Sequence, residues 1–220
     1  MRSVRNTHRT AMKRMPSAWK SRSSAKRSEG RNPGLTEAER PLIAPVDPHN
    51  MDILTDRRSV MYIVKAEAKQ IENIVNMSIR AFETDVDVGG AKGDCPPEFD
   101  SIEWHKQMAW EGHLYQAMIG EDLVGAAIVF PDETEKNVYI GRIFIDSVYH
   151  RKGYGIRLMD CIEKNFLCAV EFNLDTPCWN ERTNAFYKRL GYRIIKVEDG
   201  FNFYRKRKSE PNPIRDFIES

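Results

Sequence analysis

From Met61 onward the sequence predicts a single mixed α/β (α+β) domain, and three observations carry that prediction. Short runs of branched and aromatic residues alternate with stretches whose apolar side chains recur every three or four positions, the spacing of one helix face. Glycines and prolines punctuate the alternation at turn length. The 220 residues are 41% hydrophobic and 30% charged, which suits one core of ordinary size with a tail and excludes a membrane bundle or a collagen-like chain.

The elements follow in order. Met61-Tyr62-Ile63-Val64 has the composition of a strand, and Ile71, Ile74, Val75, Ser78, Ile79 and Phe82 then share a helical face. Residues 83–98 are acidic and broken by Gly89, Gly90, Gly93, Pro96 and Pro97, which predicts a long loop. Ser101 can cap a second helix running to about Glu111, where Gly112 ends it. Residues 114–119 and 123–130, separated by Gly120-Glu121-Asp122, read as a hairpin, and residues 138–145 as a fourth strand. A glycine-containing turn at 150–155 leads into a helix with apolar Ile156, Met159, Ile162, Phe166 and Leu167. Residues 172–176 form a fifth strand, and residues 180–190 a short helix stopped by Gly191. Residues 192–197 and 201–204 close the domain as a hairpin around Asp199-Gly200.

Charge divides the chain at the same point. Residues 1–60 hold 13 Lys/Arg against 6 Asp/Glu, whereas residues 61–220 hold 21 against 26. The net charge of +2 therefore conceals a basic tail on an acidic body, and a nucleic-acid partner is not expected of that body. The first 28 residues contain nine Lys/Arg, six Ser and no acid. That composition fits either a disordered segment or an organelle transit peptide, with disorder favoured because prolines recur and little apolar material is present. Met61 is an alternative natural start. The expected division is thus 1–60 basic segment, 61–208 folded domain and 209–220 tail. Cys95, Cys161, Cys168 and Cys178 are widely spaced and read as reduced, buried thiols of a cytoplasmic protein. The longest apolar run, residues 123–130, is far short of the ~18 residues that span a bilayer.

Two stretches carry chemistry. In Ile143-Phe144-Ile145-Asp146-Ser147-Val148-Tyr149-His150-Arg151-Lys152-Gly153-Tyr154-Gly155-Ile156 a strand end, a basic turn with two glycines and a helix start follow one another. A helix start offers unpaired N–H groups and partial positive charge, and glycine lets an anion approach the backbone. The pattern is neither a Rossmann fingerprint nor a P-loop, and alone it is also compatible with an ordinary turn. The second stretch, Asn180-Glu181-Arg182-Thr183-Asn184-Ala185-Phe186-Tyr187-Lys188-Arg189-Leu190-Gly191-Tyr192, follows the next strand.

With both stretches, the chain resembles the GNAT superfamily of acetyl-CoA-dependent N-acetyltransferases. His-Arg-Lys-Gly-Tyr-Gly at 150–155 is similar to the family's phosphate loop, Arg/Gln-x-x-Gly-x-Gly/Ala. Asn180, Tyr187 and Leu190-Gly191-Tyr192 match its later Asn, Tyr and Leu-Gly-aromatic. The resemblance implies a mixed, largely antiparallel sheet flanked by helices and splayed between its fourth and fifth strands. It implies that Phe144 and Ile145 offer backbone groups to the pantetheine arm, and that His150, Arg151, Lys152, Gly153, Tyr154 and Gly155 hold the pyrophosphate. Asn180 would hydrogen-bond the cofactor and Tyr187 would protonate the leaving sulfur as general acid. Without the resemblance, Tyr187 reads as a core aromatic beside Phe186 and Leu190.

The implied partners are acetyl-CoA and an amine acceptor, with a homodimer left open. No metal is expected, since His105 and His113 lack ligand spacing. Two departures stand out. His150 replaces the usual Arg or Gln, and the fourth strand offers Tyr139, Gly141 and Arg142 where some members carry a glutamate base. The base is therefore open among water, Glu83, Asp85, Glu111 and His113, and a non-catalytic acyl-CoA-binding module of the same fold is the alternative function. Trp104, Met108 and Trp110 are candidates for an acceptor pocket or for packing. Glu83, Asp85, Asp87, Asp94, Glu98, Asp100 and Glu103 against the single base Lys92 would draw a cationic acceptor to the first and second helices.

Overall fold

The computed structural model describes residues 60–91 and 95–208. The expectations for the basic segment before Val60, for Lys92, Gly93 and Asp94, and for the tail after Lys208 lie outside the described residues.

Seven strands form one sheet in the order β1-β2-β3-β4-β5-β7-β6. They are β1 (Met61–Lys65), β2 (Leu114–Ile119), β3 (Asp122–Pro131), β4 (Asn137–Ile145), β5 (Glu171–Pro177), β6 (Arg193–Glu198) and β7 (Phe201–Arg207). Every neighbouring pair is antiparallel except β4 and β5, which run parallel and pair only through Asn137↔Glu171, Val138↔Phe172 and Tyr139↔Asn173. Beyond Tyr139 the two strands part, so β4 from Ile140 to Ile145 keeps β3 on one side and an open edge on the other. This is the expected splay.

The helices are α1 (Ile71–Glu83), α2 (Ile102–Trp110), α3 (Tyr154–Asn165) and α4 (Glu181–Arg189). The period-two alternation of β3 buries both faces: Ala126, Ile128 and Phe130 meet Ile74, Val75 and Met108 of α1 and α2, while Ala127 and Val129 meet Leu158, Met159 and Tyr187 of α3 and α4. Ser101 caps α2 through its Oγ, which accepts from Trp104 N–H at 3.2 Å. On the α3 and α4 face, Lys206 of β7 donates to both oxygens of Glu163 of α3 at 2.8 and 2.9 Å, and Tyr192 Oη donates to the same carboxylate.

Three local expectations differ from the structure. The loop after α1 is partly ordered, because residues Thr84–Val88 form a 3₁₀ turn ended by Gly89 at φ 98°. Leu167, expected on the apolar face of α3, is exposed, because α3 stops at Asn165 and Phe166 leaves helical geometry, which breaks the spacing. Cys168 and Cys178 are exposed rather than buried.

Candidate active site

The splay opens into a cleft of about 610 Å³ lined by Phe82, Thr84, Asp85 and Asp87 on one side, by Ile143, Phe144 and Ile145 along β4, and by Tyr149–Gly155 residues and α4 on the other. Asp146 N–H bonds the Val124 carbonyl at 2.9 Å, and Phe144 lies opposite Ala126 one rung further along the same ladder phase. Hydrogen-bonded pairs alternate along an antiparallel ladder, so the main-chain groups of Phe144 face β3, while those of Ile143 and Ile145 face the open edge. Phe144 gives the cleft its ring instead.

At the end of β4 the chain is fixed before it reaches the glycines. Arg80 of α1 donates through Nε and Nη2 to the two oxygens of Asp146, and Asp146 Oδ1 accepts from Val148 N–H. The Arg80 guanidinium holds the Asp146 carboxyl below its ordinary value against the opposing effect of burial. His150 turns back, with Nε2 2.8 Å from the Ile145 carbonyl. Arg151 and Gly153 both take positive φ, 60° and 77°, and Gly153 is the N-cap of α3 with no side chain capping the first turn. The N–H groups of Tyr154 and Gly155 are thereby left for an anion, while that of Ile156 bonds the Gly153 carbonyl at 3.1 Å. A Cβ at Gly153 would meet nothing within 4 Å, so conformation demands glycine there, whereas one at Gly155 would touch Phe186 at 3.4 Å. The Lys152 ammonium lies 5.4 Å from the Tyr149 ring, and Lys152 is not among the lining residues. His150, Arg151, Gly153, Tyr154 and Gly155 are.

Tyr187 of α4 lines the same cleft and is 8% exposed. Each other buried tyrosine has a hydroxyl partner: Lys65 for Tyr115, Asp175 for Tyr139, Glu163 for Tyr192 and Asn184 for Tyr204. Tyr187 Oη has none among the described residues. Burial first, then the charge of Asp175, keeps its proton bound well above the ordinary phenol value. The result is a phenol on a cleft-lining residue that keeps its proton at neutral pH.

A sequence profile of the acetyltransferase (GNAT) family matches residues 74–192. The chain belongs to this family. As a GNAT acetyltransferase it is an acyltransferase, and acetyl transfer is its class of chemistry. N-alpha-acetyltransferase 30 of Xenopus laevis is 30% identical over 43% of this chain, and the chain spans only 36% of that relative's length. Solved structures of the same fold include PaiA N-acetyltransferase from Thermoplasma acidophilum in complex with coenzyme A, at 14% identity, 67% of this chain, 98% of that one and a TM-score of 0.59. A GNAT acetyltransferase from Streptococcus agalactiae aligns at 17% identity, 68% and 96% coverage and a TM-score of 0.60.

The fold gathers some proton-carrying candidates of this acetyltransferase and disperses others. Of Glu83, Asp85, Glu111 and His113, only Asp85 lines the cleft. Asp85 accepts from Arg182 Nη2 at 2.6 Å, and the same nitrogen reaches Thr84 Oγ1 at 3.1 Å, tying the start of α4 to the end of α1. Glu111 accepts from Gln107 on α2, and His113 packs on Phe130. Asn180 is buried and caps α4, its Oδ1 accepting from Thr183 N–H at 3.1 Å, and it is not among the lining residues. Met108 is core, Trp110 is 87% exposed and Trp104 lies against Arg142. Three functional candidates escaped the sequence reading: Asp175, Arg182 and Arg80. Asp175 accepts from Tyr139 Oη at the last β4–β5 rung, where the strands separate. The one available signal was Asp175 in an alternating apolar strand, and nothing in the sequence pairs it with Tyr139. Among the described residues no group of three His, Cys, Asp or Glu is placed to hold a metal ion, and no helix is long and apolar enough to cross a membrane.

Proposed function

We propose that this chain transfers acetyl from acetyl-CoA to an amine that is cationic before reaction, either a small polyamine-like molecule or the amino end of a basic peptide. The observation that carries the reading is the co-location, in one cleft, of an uncapped helix start at Gly153–Tyr154, an open main-chain edge at Ile143 and the Ile145 N–H, and the unpartnered Tyr187 phenol. Gly153, Tyr154 and Gly155 hold the pyrophosphate with backbone N–H groups, Arg151 adds charge at the rim, and the pantetheine arm lies along β4 like an added strand. Asn180 supports this arrangement by fixing the first turn of α4. The catalytic body is residues 61–208.

The ammonium first gives one proton to water, the free amine nitrogen then attacks the thioester carbonyl, and the C–S bond breaks. Tyr187 gives its proton to the departing sulfur. The amine's second proton leaves through water in the cleft, since neither Tyr139 nor Asp175, which are hydrogen-bonded to each other, lines it. Asp85, which does line the cleft, is less suited to this task because it is already held in an ion pair with Arg182 at 2.6 Å.

For the acceptor, Asp85 and Asp87 line the cleft on the α1 side, and among the described residues Asp87 has no ion-pair partner. The 30% identity with an N-alpha-acetyltransferase supports an α-amino group within the cationic class. The test is to neutralise Asp85, Asp87 and Asp94 together and follow kcat/KM for spermidine and for a Lys-rich peptide against ionic strength. A several-fold loss of kcat/KM together with a flattened salt dependence is expected. Unchanged kinetics at every salt concentration would remove the cationic acceptor.

A further inference from the structure

Arg142 is a charged residue in an aromatic slot. It precedes the cleft-lining Ile143 on β4, and its side chain leaves the sheet toward α1 and α2. Nη2 donates to the Pro97 carbonyl at 2.6 Å, and the guanidinium carbon lies 4.6 Å from the Trp104 ring centroid and 5.7 Å from that of Phe82. Nη1 is buried and has no hydrogen-bond partner among the described residues. A buried donor left unsatisfied is costly, and an apolar side chain of similar volume fills such a slot at least as well. What arginine adds is a directional bond to the segment 95–101.

That segment backs onto the cleft through one ring. Phe82 lines the cleft and stands edge-on to Phe99 at 6.3 Å and to Phe144 at 5.9 Å. The segment, the guanidinium, Phe82 and the cleft wall form one continuous stack, on the side that carries Asp85 and Asp87.

We propose that Arg142 is a positioning residue for the acceptor amine, its guanidinium holding segment 95–101 against β4 and, through Phe82, fixing the acceptor-side wall of the cleft. The inference rests on the reading that the α1 side receives the amine. It assigns Arg142 no contact with acetyl-CoA and no part in proton transfer.

The variant to use is Arg142→Lys, which keeps the charge and much of the stem but loses the planar fork. The acceptor KM should rise about 10-fold, with kcat changed less than about threefold and acetyl-CoA affinity by calorimetry unchanged. Amide exchange over 95–101 should quicken while that of α3 does not. Arg142→Met, which fills the slot without the bond, should show the same split. An acceptor KM that stays at the wild-type value in folded Arg142→Lys overturns the proposal, as does a parallel rise for both substrates, the mark of a general structural role. If the wild-type protein acetylates no amine, the transfer reading itself fails, and the exchange measurement still decides the clamp: unchanged exchange over 95–101 sinks it.

Discussion

The cofactor side and the acceptor side of the cleft are built in opposite ways. On the cofactor side, residues 143–156 are contiguous, and the groups that matter are main-chain N–H and C=O set by a strand end, two positive-φ residues and a helix start. On the acceptor side, Asp85, Arg182 and Arg142 come from the 3₁₀ turn after α1, from α4 and from β4, and their side chains bond partners 45 to 97 residues away. A backbone site tolerates changes of side chain and is broken by changes of conformation. A side-chain network should fail piecemeal, one contact at a time.

The sharpest break is at the cofactor side. Gly153→Glu puts a side chain at φ 77° and a carboxylate where an anion is expected. Open space around the new Cβ should let the domain fold, at a cost of about 1–2 kcal/mol for the left-handed conformation. Acetyl-CoA affinity measured calorimetrically should fall by about two orders of magnitude or more, because charge repulsion is added to the lost cradle. Retained affinity in a folded variant would place the phosphates elsewhere.

Tyr187→Phe probes the point where the two sides meet. Since Tyr187 Oη has no partner among the described residues, the variant should melt close to wild type while kcat drops roughly 10²-fold with little change in acetyl-CoA binding. Tyr204→Phe should do the reverse, because Tyr204 Oη donates to Asn184 Oδ1 at 2.8 Å and its loss costs about 1 kcal/mol. Full steady-state activity in Tyr187→Phe would return that ring to the core.

Behind the cleft, Asp175→Asn keeps a hydrogen-bond acceptor for Tyr139 but removes a charge that helps hold the Tyr187 proton. A change in kcat of less than about threefold is expected, because burial is the larger cause of that hold. A fall of about 10-fold or more would bring the Tyr139–Asp175 pair into the proton transfer.

The smallest effect on activity, and one on stability alone, concerns His105. Burial lowers its imidazole from 6.5 to about 4, with the nearby Arg142 charge acting in the same direction. The unfolded chain therefore binds the proton more readily. Stability is complete above about pH 6.5 and declines as pH falls from 6.5 toward 4, by at most about 3 kcal/mol. Urea denaturation at pH 7.5, 5.5 and 4.5 should show this decline, and His105→Gln should flatten it. A slope identical in the two proteins would assign the acid sensitivity to other groups.

The same contrast explains what could be read from the residues in advance. Strand and helix order was legible because period-two and three-to-four spacings survive in each element, from Met61 to the hairpin at Asp199-Gly200. The turn before α3 was legible because its signal is local: two glycines and three basic residues after a strand. Arg80–Asp146, Arg182–Asp85 and Tyr139–Asp175 were not, because no local pattern marks a side chain whose partner lies 66, 97 or 36 residues away. Leu167 shows the limit within a single element, where one non-helical residue at Phe166 ends the periodicity that placed it.

The most direct test of acetyl transfer in this cleft is a paired measurement on one reaction mixture: free CoA by thiol titration and acetylated amine by mass spectrometry, across polyamines, aminoglycosides and basic peptides. The account predicts equimolar CoA and acetyl-amine for at least one cationic acceptor, with both falling together by about 10² in Tyr187→Phe. Tight acetyl-CoA binding with no CoA released for any amine, or release that Tyr187→Phe leaves untouched, would contradict it.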